Sequence, residues 1–137
     1  MKTLIESIEA RLASEGYGTY FVSVPDAPAY PYVLLWTGSG RLEASTLAGV
    51  RDLRDSLGVT MVSTFALGVL EMSKIVRDAL VGFAPASDAW DVAEFREPYD
   101  SQVVQPDRDV ALPGSGYPFY AVDLYALDGT PKAVTVP

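Results

Sequence analysis

The stretch Val59–Pro85, VTMVSTFALGVLEMSKIVRDALVGFAP, decides how the chain is to be read. From Val59 to Phe65 the side chains alternate, with Val59, Met61, Ser63 and Phe65 on one side and Thr60, Val62 and Thr64 on the other. Both sides are half apolar, the pattern of a strand near the centre of a sheet. From Leu67 the pattern becomes helical. Val69, Met72, Val76, Ala79 and Leu80 share one face, while Glu71, Lys74 and Asp78 take the other. Gly82 is placed to stop the helix, and Pro85 prevents its continuation. One strand thus passes directly into one amphipathic helix with no phosphate loop between them. Such a unit builds a surface rather than a pocket.

Upstream, Thr3 and Glu6 have the spacing of a capping box, which predicts a helix from Lys2 to about Glu15 with Thr3 as its N-cap. Leu4, Ile5, Ile8 and Leu12 form its single apolar stripe, and Gly16 is placed to end it. Tyr17–Val24 is rich in aromatic and β-branched residues and reads as a strand. Pro25, Pro28 and Pro31 make the next segment a connection, because proline cannot donate to a ladder. Tyr32–Thr37, YVLLWT, is continuously apolar, as expected of a strand covered on both faces, and Gly38-Ser39-Gly40 closes it. Between Arg41 and Gly58 two readings stand open. Leu42–Leu47 can form a short strand, and RDLRDSLG can form either a helical turn or a charged loop on the rim of the sheet.

Downstream, Ala89–Glu97 mixes Trp90, Val92 and Phe95 with charges and predicts an exposed edge strand, and Ser101–Gln105 predicts a shorter one. Pro106–Gly116 reads as a loop. Tyr117–Leu127 reads as a long final strand, with Phe119, Ala121, Asp123 and Tyr125 on one face and Tyr120, Val122, Leu124 and Ala126 on the other. The order predicts an α+β fold: one mostly antiparallel sheet with two helices packed on one face, as a single domain over residues 1–127. Residues 128–137 carry no helical pattern and are expected to form a disordered tail.

Length and composition agree with one domain. The chain has 137 residues, of which 49% are hydrophobic and 20% charged, so a core is affordable and wholesale disorder is excluded. No apolar run approaches the roughly 20 residues that cross a bilayer, so no membrane partner is expected. Acidic residues interrupt the N-terminal MKTLIESIEARL where a secretory signal would be apolar. The absence of cysteine leaves no disulfide framework or thiolate metal site and leans towards an intracellular origin. A formal charge of −8 opposes groove-reading contact with nucleic acid and suits a wall past which it slides.

Catalytic signatures are missing. With neither histidine nor cysteine, histidine-assisted nucleophilic catalysis is excluded. Ser73 and Lys74 are adjacent on a helix, where neighbours do not face each other, and make a poor dyad. Carboxylates between Asp88 and Asp109 leave a small carboxylate-dependent hydrolase as an alternative. Asp88, Asp91 and Glu94 could collect a cation, but no loop of glycine and alternating acids surrounds them. Gly38-Ser39-Gly40 lacks the third glycine and the lysine of a nucleotide loop and reads as a turn. The aromatic residues Tyr117, Phe119 and Tyr125, with Trp36 and Trp90, fit a core or an interface better than a ligand cleft. No catalytic, cofactor-binding or metal-binding residue is therefore assigned, and no enzymatic activity is expected.

The N-terminal helix, YPYVLLWTG, STLAGVRD, VTMVSTF, the helix ending VRDALVG, and VVQPDRDVALPGSGYPFYAVDLYAL resemble, in that order, the tail terminator proteins of long-tailed bacteriophages, also called tail-completion or minor tail proteins. The resemblance covers nearly the whole chain and lies in the order and texture of its pieces. It implies a compact subunit of a hexameric ring on the head-proximal end of the tail tube in the virion. The ring would assemble in the host cytoplasm, stop tube growth and form the surface that joins the head. Its partners would be further copies of the chain, the tail tube protein and a head-completion or connector protein, with DNA passing through an acidic lumen. Ring closure requires one patch to meet a different patch on the neighbour. Arg51, Asp52, Arg54 and Asp55 in RDLRD, with Asp91, Glu94 and Arg96 further on, are the candidate interface residues. Another head–tail connector, a neck or stopper subunit, is the alternative structural role, although such proteins tend to be more helical or more purely β.

Overall fold

The computed structural model describes residues 1–44 and 51–132. Helix α1 (Lys2–Ala13) leads into β1 (Gly18–Phe21), β2 (Tyr32–Thr37) and β3 (Leu42–Ala44). Strand β4 (Arg51–Ser63) and helix α2 (Ala66–Leu80) follow, then three short edge strands: β5 (Trp90–Val92), β6 (Asp100–Ser101) and β7 (Gln105–Pro106). Strand β8 (Phe119–Pro131) closes the fold. The architecture is α+β, with two helices on one mostly antiparallel sheet.

Strands β4 and β8 form its spine, antiparallel from Leu53↔Gly129 to Ser63↔Phe119. On one side of the spine lie β2, then β1, with β3 further along β4; on the other, β5, β6 and β7 pair in turn with β8. The far edge is thus built from three fragments, one of them ending on Pro106, which blunts it against further strand addition. Strands β1 and β2, although consecutive, pair in parallel. The proline-rich connection carries the chain back to the starting end before β2 begins.

The expected strand at Val59 is correctly central but begins at Arg51. RDLRDSLG is therefore neither a helical turn nor a loop; it is the first half of β4, paired with β3 and β8. Beyond β3, residues 45–47 of the expected Leu42–Leu47 strand lie outside the described residues. The last strand continues past Leu127 to Pro131, so residues 128–131, expected in a disordered tail, belong to the sheet; residues 133–137 lie outside the described residues. Thr3 does not cap α1. Met1 is the N-cap, so Thr3 is already within the first turn. Its hydroxyl donates to Asp88 Oδ1 at 2.9 Å and accepts the Asp88 amide at 3.0 Å, tying α1 to the chain after α2.

Alternation along the spine decides the core. Val33, Leu35, Leu57, Val59, Met61, Ala121, Tyr125 and Leu127 point to the helix side and are all buried. Leu4, Ile5, Ile8 and Leu12 of α1, with Val69, Met72, Val76 and Leu80 of α2, close over them. Burying such a side chain contributes roughly 1.5–3 kcal/mol, so this one face supplies most of the stability.

Candidate functional site

The other face of the sheet has no helix over it among the described residues. Register places Tyr32, Leu34 and Trp36 of β2 beside Val62, Thr60 and Gly58 of β4, and these beside Tyr120, Val122 and Leu124 of β8. Tyr20 of β1 joins the row, its ring edge-on to Tyr32 at 5.4 Å, and Tyr30 lies 5.5 Å from Tyr32 on the other side. Most of these side chains are half-buried, and Val62 is buried. Trp36 is 36% exposed and lies over Gly58, where an added Cβ would collide with the indole. Its Nε1 donates to Thr60 Oγ1 at 3.3 Å. Burial above all, then Tyr30 and Asp107, pushes the Tyr32 phenol up to about 12. The result is an aromatic, weakly polar plate.

Further along the same face the character changes to charge. Arg54 pairs with Asp52 at 3.4 Å and with Asp128 across the ladder at 3.8 Å. Arg54, Asp91, Asp128 and Thr130 line a shallow cleft of about 500 Å³. Asp52 is itself buried, whereas the pair with Asp128 is exposed and worth about 0–1 kcal/mol. The candidate interface residues thus fall into distinct places. Arg51 is exposed at the start of β4; Asp52, Arg54 and Asp91 gather at one end of the bare face. Glu94 and Arg96 are exposed on either side of buried Phe95. RDLRD and the Asp91 strand, expected as separate patches, are brought together because β4 and β5 flank the same end of β8.

Asp55 has a different task. Its carboxylate accepts the amides of Gly38, Gly40 and Arg41 at 3.2, 2.9 and 3.1 Å, and that of Ser56 at 2.8 Å. The glycine turn that superficially resembles a nucleotide loop therefore already holds an anion, supplied by the chain itself. Beside it, Met1, Ile5, Glu6, Glu9 and Phe21 line a cleft of about 420 Å³.

A second ionic arrangement went unread in the sequence. Asp123 stands in an otherwise apolar row of β8 and is fully buried. Arg77 of α2 reaches down to it with Nε and Nη2, each donating at 2.8 Å to a different carboxylate oxygen, and Ser101 Oγ donates at 2.7 Å. The Asp123 hydrogen bond holds the Arg77 guanidinium still more firmly protonated. Next to this clamp, Tyr125 is fully buried with its hydroxyl unpartnered and its ring edge-on to Phe95. Burial, then the Asp123 charge, holds this phenol well above its ordinary range. Ser73 is buried, and its hydroxyl donates to the Leu70 carbonyl at 2.8 Å. Among the described residues no three acidic side chains converge to hold a cation. The aromatic residues read as core or interface rather than a cleft lie apart: Trp36 on the bare face, Trp90 and Phe119 against the core, Tyr125 inside it, and exposed Tyr117 under Arg108 at 6.0 Å.

No protein-family model and no curated protein matches this chain. Among solved structures it is similar in fold to a chain from the virion of a native gene transfer agent particle. The TM-score is 0.65 at 16% identity, over 93% of this chain and 96% of that one. At that identity the likeness is one of fold.

Proposed function

We propose that this chain is a structural subunit of a phage-like virion, and specifically a tail terminator. It would sit as a hexameric ring on the head-proximal end of the tail tube, end the tube's growth, and offer the surface that joins the head. The observation that carries this reading is the nearly end-to-end correspondence of fold with a chain of a gene transfer agent virion. The site chemistry points the same way. Asp52, Asp123 and Asp128 are paired with arginine, and Asp55 accepts backbone amides. A net charge of −8 lets DNA pass through the lumen without adhering. Partners on this reading are further copies of the chain, the tail tube protein and a head-completion or connector protein.

The reading is tested by assembling tail tubes from their subunits with and without the purified protein. Termination predicts tubes that stop elongating and carry density at one end only. Tubes of unchanged length with bare ends would overturn it. Asp91→Ala with Glu94→Ala should leave an assembly protein folded with no hydrolytic activity to lose, whereas a carboxylate-dependent hydrolase would lose its activity.

A further inference from the structure

We infer that the neighbouring copies in such an assembly meet by laying the bare sheet face of one protomer against the outward face of α2 of the next. The inference rests on the ring reading above and assigns its contact. Helix α2 lies on the opposite side of the sheet from the bare face, so its outward side chains point away from it. Near its start these are large and apolar: Phe65 is 56%, Leu67 68% and Leu70 53% exposed. Beyond them the helix presents Glu71, Lys74 and Asp78 to solvent.

The bare face is graded in the same direction. Helix α2 starts where β4 ends and runs back along it, with Gly68 beside Ser63 and Arg77 beside Asp123, the partner of Val59. Its apolar start therefore lies at the end of the sheet that carries Tyr32, Val62 and Tyr120. Its charged part runs towards the end that carries Arg54, Asp91 and Asp128. Copies related by rotation about a ring axis along the strands all point the same way. Apolar then faces apolar at one rim, while towards the other Lys74 faces Asp91 and Asp128, and Asp78 faces Arg54. Two copies placed back to back through the same face would bury one apolar surface and leave the other exposed on each copy. A contact between unlike faces buries both and repeats. Aromatic residues with hydroxyl tips, such as Tyr20, Tyr32 and Tyr120, suit this use, since they bury area while keeping a polar handle.

The chain contains no cysteine, so the contact can be read by disulfide trapping. Leu70→Cys combined with Val122→Cys should give, on oxidation of the concentrated protein, a ladder of linked species ending in a closed form. Each single variant should stay unlinked. No ladder from a protein that light scattering shows to be oligomeric would overturn this contact and leave the ring reading standing. No ladder from a protein that stays monomeric, alone and with tail tubes, would overturn both. Dimers from either single variant would show a like-to-like contact and overturn the inference. Independently, Leu70→Asp, on an exposed position, should shift the oligomer at least tenfold towards monomer with unchanged far-ultraviolet circular dichroism. An unshifted oligomer would contradict it.

Discussion

The two faces of this sheet are made from the same strands and do opposite things. On the helix side, Val33, Leu35, Val59 and Met61 are fully buried under α1 and α2. One residue away along each strand, Leu34, Trp36, Thr60 and Val122 lie side by side and stay partly exposed. Both faces are apolar enough to be a core. The difference is that, among the described residues, helices cover only one of them.

Adjacent leucines give the sharpest way to break this comparison. Leu35→Ala opens a cavity in the covered core and should cost about 3–4 kcal/mol in urea unfolding of the monomer. Leu34→Ala, on the bare face, should cost about 1 kcal/mol or less. Equal losses would mean that the bare face is as stabilising in the monomer as the core. The clamp between helix and sheet comes next. Asp123→Ala leaves Arg77 facing a buried, uncompensated site and should cost about 3 kcal/mol, the low end for a broken buried pair because Arg77 is partly exposed. A loss below about 1 kcal/mol would show that α2 is held by its apolar stripe alone.

Alkaline unfolding probes both faces through their tyrosines. Tyr32 on the bare face and Tyr125 in the core each lose the proton less readily than a free phenol. The fold therefore holds protons that the unfolded chain releases above its ordinary phenol range near 10, and stability falls as pH rises from about 10 through 12. Tyr125→Phe should flatten that fall more than Tyr32→Phe. Near neutral pH Tyr125→Phe should be stabilising by about 1 kcal/mol, because it removes a buried hydroxyl without a partner. Loss of stability in Tyr125→Phe would indicate that the hydroxyl is satisfied after all.

The smallest effect lies where the sheet ends. Val22 has φ of 68°, unusual for a β-branched residue, and Ser23 N donates to Phe21 O at 2.8 Å across it. This tight turn ends β1 at Phe21, short of the expected Val24. Val22→Gly should stabilise by about 0.5–1 kcal/mol in thermal melts; a destabilised variant would show that the turn is held by the valine side chain.

What could be read in the sequence was what repeats locally. The strand-to-helix change at Val59–Leu80 was legible because each residue's role follows from its own period, and Gly16 and Gly82 marked two helix ends by their positive φ. The first half of β4 was not. Leu53 and Leu57 keep the period of a strand, but Asp55 stands in the apolar row between them, because its partners are amides of the 38–41 turn. Asp123 likewise sits in a core row only because Arg77 arrives from α2. Thr3 was misread for the same reason, its partner being Asp88. The candidate interface residues were individually visible, but which of them share a face is fixed by β8, which joins segments far apart in sequence.

The most direct measurement of the structural role is light scattering combined with negative-stain imaging of the purified protein, alone and mixed with tail tubes. The expected result is a six-fold ring, or tubes capped at one end by such a ring. A protein that stays monomeric at every concentration and never associates with tubes would contradict it.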